Sequence, residues 1–364
     1  MSAFDPKRTS EAHLGRAAQW LPERAAYLNM DGMALGSGKK PMRRREFIAL
    51  LSAAAITGSA RVAAQETGRI YRIGFLTGNA REVPVNSALF DELRGMGFVE
   101  GQNLSVVPGG FRLRDEQLAE AAAALVKSAP DAIVTAGPIA TRAAQAATKT
   151  IAIVGSADDM VEDGLVSSMR HPGSNTTGVS LLAGELNGKR QDLLIEAIPR
   201  IRRLAALADP NVGTPQHLQA LKDGARARGV ELLAFVASTR EAIIPALDEA
   251  SGSGAEAINV LATPLFYFNR QIVLERVAAL RLPAMYQWPE MAEEGGFAGY
   301  GPRLTQWYRQ LARLLAQVLR GAHPGDLPIE QPTRFELVLN LQTAKTIRRE
   351  IPAGLVARAD KLVE

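Results

Sequence analysis

The stretch A-I-V-T-A-G-P-I-A at residues 132–140 decides how the chain is read. Residues 132–135 form a short apolar run without polar alternation, the pattern of a strand covered on both faces. Ala136-Gly137-Pro138 is a turn, and an Ala-rich segment follows through Ala147. Proline at its first position suits a helix start, where the missing N–H costs nothing. The unit is strand, turn, helix, and it recurs in both directions.

Upstream, 71–76 is an apolar run ending at the turn Thr77-Gly78-Asn79, followed by a helix over 86–97. A strand over 104–107 is broken early by Pro108-Gly109-Gly110, and 115–128 reads as helix. Downstream, a strand at 151–154 runs into the loop 156–159, and 177–182 is a fifth strand. The alternation then restarts. Helices are expected over 185–198, 214–228, 240–250 and 266–280, with strands over 204–208, 230–236, 257–261 and 283–286. The tail holds a short strand near 297–300, an amphipathic helix over 303–320 and a Pro-rich link over 323–332. It ends in a strand near 335–339 and a helix capped by Asn340. Strands alternating with helices of this length imply parallel sheets with helices on both faces, and two such series imply two similar α/β lobes.

Ahead of the first strand lies M-R-R-R-E-F-I-A-L-L-S-A-A-A-I-T-G-S-A-R-V-A-A-Q, beginning at Met42. A positive cluster, an apolar run too short to span a bilayer and an A-x-A-like site before Gln65 are the parts of a secretory signal. Arg44-Arg45 followed by Phe47-Ile48 is similar to the twin-arginine export signature; the sequence leaves the twin-arginine and general secretory routes both open. Residues 1–41 show no steady apolar period. They read as a mis-called start or a disordered extension, with Met1 and Met42 both open as the true start.

The chain of 364 residues carries 42 Lys+Arg and 38 Asp+Glu. Ten of the basic and five of the acidic residues lie in 1–64, leaving 32 and 33 in the remainder. The basic balance therefore belongs to the export segment, and it argues against a nucleic-acid partner. With no cysteine there is no disulfide, no thiolate metal site and no residue for a lipid anchor. The mature protein is expected to be a soluble, unlipidated periplasmic monomer.

In open parallel sheets, ligands sit beyond the carboxyl ends of the strands. Those ends are 77–79, 136–139, 156–159, 262–264 and 286–287. The ligand-binding candidates are Thr77, Gly78, Asn79, Thr135, Gly137, Ile139, Asp158, Asp159, Thr263, Tyr286 and Tyr300. The hydroxyls, amide and backbone N–H groups suit a carboxylate at a helix N-terminus. The tyrosines offer a flat apolar face and a hydroxyl, or else pack at strand ends. Asp158 and Asp159 point apart if extended, and read either as solvated or capping carboxylates or as a contact for an amino group. Trp288 is a candidate for the cleft rim, whereas Trp307, Leu311, Leu314, Leu315 and Val318 share a helix face that reads as core.

Several segments match a known group. R-R-R-E-F-I-A-L-L at 43–51, Y-R-I-G-F-L at 71–76 and L-R-G-M-G-F-V-E-G-Q-N-L at 93–104 are followed by G-L-V at 164–166 and H-P-G-S-N-T-T-G at 171–178. R-L-P-A-M-Y at 281–286, Y-G at 300–301 and Q-P-T-R-F-E-L-V-L-N-L-Q-T-A-K at 331–345 complete the set. The chain resembles substrate-binding proteins of bacterial ABC transporters of the tryptophan/tyrosine type. The resemblance implies a type I periplasmic-binding-protein fold, two Rossmann-like lobes joined by a hinge with three crossovers around a central cleft. It also implies a small-molecule ligand, amino-acid-like or another small organic acid, and an inner-membrane permease partner. Two departures lie near the cleft: Asp158-Asp159 replaces the usual aspartate-proline pair, and the strand before Pro108 is shortened. The expected division is 65–183 plus about 323–364 in the first lobe and 184–300 in the second, with 301–322 a helix near the hinge.

No catalytic set is expected. His13, His171, His217 and His323 lack metal spacing, no nucleophile elbow occurs, and Gly252-Ser253-Gly254 lacks the third glycine of a dinucleotide loop. No cofactor and no metal are expected. Two other readings stay open: an isomerase or hydrolase on a two-lobed α/β fold, which needs a converging acid/base or nucleophile set, and the ligand-sensing part of a regulator, which needs an added module.

Overall fold

A computed structural model describes residues 68–364 apart from 182, 213 and 214. The extension 1–41 and the export segment 42–64 lie outside the described residues. The first series of units runs β1 (Tyr71–Leu76), α1 (Pro84–Gly95), β2 (Leu104–Val106), α2 (Leu118–Lys127), β3 (Ala132–Ala136), α3 (Pro138–Ala147), β4 (Ala152–Ala157) and β5 (Thr176–Ser180). Its sheet is parallel throughout, in the order β2-β1-β3-β4-β5. Val134, Val154 and Val179 are buried, as strands covered on both faces require.

The second series runs α4 (Ala183–Ala197), β6 (Arg203–Ala208), α5 (Pro215–Ala227), β7 (Glu231–Val236), α6 (Ile243–Gly252) and β8 (Ala257–Val260). It continues with α7 (Pro264–Phe268), α8 (Arg270–Leu280), β9 (Ala284–Tyr286), α9 (Pro289–Glu293) and β10 (Ala298–Gly301). The single helix expected over 266–280 is two. They meet at Asn269, whose side-chain Nδ2 donates to Leu265 O at 2.8 Å and competes with the helical ladder.

The chain then returns to the first lobe as α10 (Leu304–Leu319), which packs on α1. Trp307, Leu311, Leu314, Leu315 and Val318 are all buried along it. Glu290 Oε1 accepts from the Leu304 N–H at 3.0 Å, a carboxylate placed where the helix dipole favours it. On the α1 side, Arg313 meets Glu92 at 3.0 Å.

The tail corrects one expectation. The segment from about 323 is expected wholly in the first lobe, and only its beginning lies there: Glu330 bridges Val179 of β5. The chain then crosses to form β11 (Glu336–Asn340), α11 (Leu341–Thr346), α12 (Ala353–Val356) and β12 (Lys361–Val363). β11 pairs antiparallel with β10, and β12 parallel with β11, so the second sheet has seven strands in the order β12-β11-β10-β9-β8-β6-β7. The physical reason is an open sheet edge. β10 leaves one side unpaired until the buried L-V-L of β11 covers it, which also removes an edge prone to stray pairing.

The lobes are joined three times, between β5 and α4, between β10 and α10, and between Glu330 and β11. At the second crossing Arg303 is held at 2.7 Å by Glu293 and at 2.6 Å by Glu336, which ties the second crossing to the third. This is the two-lobed, three-crossover architecture that the family resemblance implies.

Candidate functional site

The carboxyl ends of the strands of both sheets face one another. Residues after β1, β3 and β4 supply one wall, and residues after β6, β8 and β9 the other. The walls touch where no side chain intervenes. A Cβ built on Gly137, whose φ is +94°, would lie 2.8 Å from Pro264 Cγ, and one on Gly78 would lie 2.6 Å from the Phe268 ring. Both positions need glycine for the close approach of the lobes.

Between the walls lies a narrow cavity shared by Asp158, Tyr267, Phe268, Trp288, Trp307 and Tyr308. Trp288, of the second lobe, stacks on Trp307 of the first, with ring centroids 5.2 Å apart and planes at 27°. Tyr267 meets Trp288 edge-on at 6.0 Å, and Tyr308 meets Trp307 edge-on at 5.6 Å. Trp288 and Trp307 are 4% and 8% exposed, yet neither indole N–H has a hydrogen-bond partner. Asp158 Oδ2 is shielded from solvent in the same cavity and also has none. Buried polar atoms are almost always paired, so unused donors beside an unused acceptor mark a place for a ligand.

The electrostatics reinforce this. Burial first, then the neighbouring Asp163 charge, push the Asp158 carboxyl up to about 7, while the Arg190 charge pulls the other way. Arg190, 2% exposed on α4, has its own pKa lowered by burial to about 10. Its guanidinium donates to Tyr300 O at 2.7 Å, Asn187 Oδ1 at 2.9 Å and Gln287 O at 3.2 Å. It therefore pins β10 and the residue after β9 to α4. Asn187 Oδ1 in turn accepts from the Ala262 N–H.

The expected residues fall into three groups. Thr77, Gly78, Gly137, Ile139, Asp158, Asp159 and Thr263 line the cavities between the lobes. Thr263 caps α7 through the Leu265 N–H and donates to Asp209 Oδ2 at 2.9 Å. Asp159 turns away from Asp158, and its Oδ1 accepts from the Val161 and Glu162 N–H groups. Asn79 and Thr135 support the walls. Asn79 donates to the Tyr308 hydroxyl at 2.8 Å, and the Thr135 hydroxyl lies 2.7 Å from that of Thr141.

Tyr286 and Tyr300 line none of these cavities. Tyr286 is 1% exposed with its ring packed against Gly296, inside the second lobe. Tyr300 stacks on Phe335 at 6.3 Å and contributes its carbonyl to Arg190. β9 reaches the cleft through Gln287 and Trp288 instead. Residues absent from the expectations are Asp209, Arg190, Asn187, Tyr267, Phe268 and Tyr308, together with Trp307 as a cavity wall. Asp209 directly follows β6 and obeys the same strand-end rule that found the others.

Comparison with known proteins places this architecture. Among curated proteins the chain is similar to a tyrosine-binding protein of Clostridioides difficile, at 24% identity over 260 residues, covering 70% of this chain and 74% of that protein. Among solved structures it is similar to a conserved domain protein from Vibrio cholerae, with a TM-score of 0.73 at 23% identity over 81% of this chain and 99% of that one. It is likewise similar to an ABC domain from Streptococcus pneumoniae in complex with L-Trp, with a TM-score of 0.72 at 20% identity over 81% and 100%. These neighbours share the type I periplasmic-binding-protein fold. The family model described as ABC transporter substrate binding protein matches residues 75–363, and the chain belongs to that family.

Proposed function

We propose that the protein is the solute receptor of an ABC importer. It captures a small solute, amino-acid-like or another small organic acid, by closing its two lobes on it. It then presents the closed form to a permease in the inner membrane. The observation that carries this reading is the division of the cavity: Asp158 and Trp307 come from one lobe, Trp288 and Thr263 from the other. A solute touching all four gains its full contacts only in the closed form and shifts the population toward it. The names of a tyrosine-binding relative and of a structural neighbour holding L-Trp support an amino compound.

In this reading Thr77, Gly137, Ile139, Asp158 and Thr263 contact the solute, and no bond is made or broken. Closure and opening on this scale are hinge motions about the three crossings. The segment 42–64 exports the protein to the periplasm, where it works as an unlipidated monomer. Among the described residues no helix is long and apolar enough to cross a membrane.

A thermal-shift screen of amino acids and small organic acids tests the reading. The expected result is a rise in Tm with one chemical class, and recovery of that compound unchanged after incubation. Turnover of the stabilising compound, or no stabilisation by any solute, would overturn it.

A further inference from the structure

The charge of the solute follows from the walls around Asp158. Asp158 also lines a second, larger chamber, between the 158–163 loop of the first lobe and α5 of the second. Five carboxylates line it: Asp158, Asp159, Glu162 and Asp163 from one lobe, and Asp209 from the other. Its one basic lining residue is His217, whose Nε2 lies 3.2 Å from Glu162 Oε2 across the cleft. Arg190 and Arg142 offset the set only in part: their charges act on Asp158 and Asp163, but the Arg190 guanidinium donates to Tyr300 O, Asn187 Oδ1 and Gln287 O, and Arg142 donates to the Asp163 carbonyl.

Two of the carboxylates are already used. Asp209 accepts from Thr263 and from the Asn211 N–H, and Asp159 closes its own turn. Asp158 Oδ2 and Asp163 Oδ2 are left, both shielded from solvent and both without a partner. Two shielded, unpaired carboxyl oxygens on one wall are costly, and a cation set between them removes the cost. A bare metal ion does not fit, since among the described residues no three carboxylate or histidine groups are disposed to hold one. Leu218, Leu221, Val236 and Leu261 also line the chamber, which suits an alkyl stem. At the other end, the unpartnered N–H groups of Trp288 and Trp307 require an acceptor.

We propose that the solute carries net positive charge and is lysine-like. An acceptor group faces the two indoles, one ammonium sits at Asp158, and a second cationic nitrogen on an alkyl stem reaches toward Asp163 and Glu162. This rests on the binding reading above and narrows its solute class from small acids to basic amino compounds.

Calorimetry on the purified full chain tests it with three probes: L-lysine, L-norleucine (which lacks the terminal ammonium) and L-tryptophan. Lysine is expected to bind about tenfold or more tighter than norleucine, the equivalent of one modest charge contact. Asp163→Asn and Glu162→Gln should each lower the lysine-to-norleucine affinity ratio by about threefold or more. Circular dichroism and Tm show that each variant is folded. Norleucine or tryptophan binding as tightly as lysine, or a lysine preference that neither variant changes, overturns the proposal and leaves the receptor reading intact. No binding of any probe also overturns it, and the wider solute screen then decides the receptor reading separately.

Discussion

Trp288 and Trp307 stack at 5.2 Å although they belong to different lobes, one following β9 and the other on α10. The pair closes the aromatic cavity and spans the division along which the protein is expected to open. Stacked aromatic pairs contribute about 0.5–1.5 kcal/mol beyond their area. That is enough to bias an opening equilibrium and too little to lock it.

Trp20 is the third tryptophan of the sequence, so these two are the only ones from residue 65 onward. Emission of protein lacking residues 1–64 should therefore shift when solute enters the cavity. Trp288→Phe and Trp307→Phe should each remove part of the change. A full signal in the absence of either indole would place the solute elsewhere.

Gly78 and Gly137 permit the lobes to meet at Phe268 and Pro264. Gly78→Ala is expected to weaken solute binding about tenfold or more, by blocking closure rather than unfolding a lobe. Phe268→Ala should restore room for the added methyl. A double variant no tighter than Gly78→Ala alone would contradict this assignment, as would unaltered binding in the single variant. Gly137→Ala adds backbone strain of about 1 kcal/mol or more, because φ is +94° there.

The pH dependence follows from Asp158. Its carboxyl is raised from 3.8 to about 7 in the folded protein, chiefly by burial. Between these values the folded state holds a proton that the unfolded state has lost. This group's contribution is therefore fully present below the ordinary carboxylate value and is lost as pH rises through 7. Asp158→Asn keeps the neutral form at every pH. Its Tm advantage over wild type should grow from pH 4.5 to pH 8, and a constant difference would exclude the effect. An ammonium bound at Asp158 would displace the proton, so solute affinity should rise over the same range.

Arg190 holds three acceptors from inside the second lobe. Arg190→Met leaves them unpaired and is expected to cost about 3–5 kcal/mol, as for other broken buried charge networks. Urea unfolding with an unchanged m-value measures it. A loss below about 1 kcal/mol would show that the carbonyls find other donors.

Much of this was legible in the sequence, and the remainder has identifiable physical causes. The βα units show because strands covered on both faces are continuous apolar runs, as in 132–135, and each turn is marked by glycine or proline. The strand-end rule located Thr77, Gly137, Asp158 and Thr263 at the cleft. It failed at Tyr286, because the strand's last residue alternates inward and its successors Gln287 and Trp288 point to the cavity. Trp307 reads as core and is buried; that it also lines the cavity escapes the sequence, because a helix face covering a sheet and one lining a cleft carry the same apolar stripe. Arg190 gives no local signal: its partners are backbone carbonyls and an amide, the farthest 110 residues away. The lobe of β11 depends on which sheet leaves an edge open, and no periodicity records that.

Solution X-ray scattering with and without saturating solute tests the central claim most directly. The account predicts that the solute giving the largest rise in Tm reduces the radius of gyration, and that Gly78→Ala suppresses the reduction. Identical scattering of free and saturated wild-type protein would contradict capture by lobe closure.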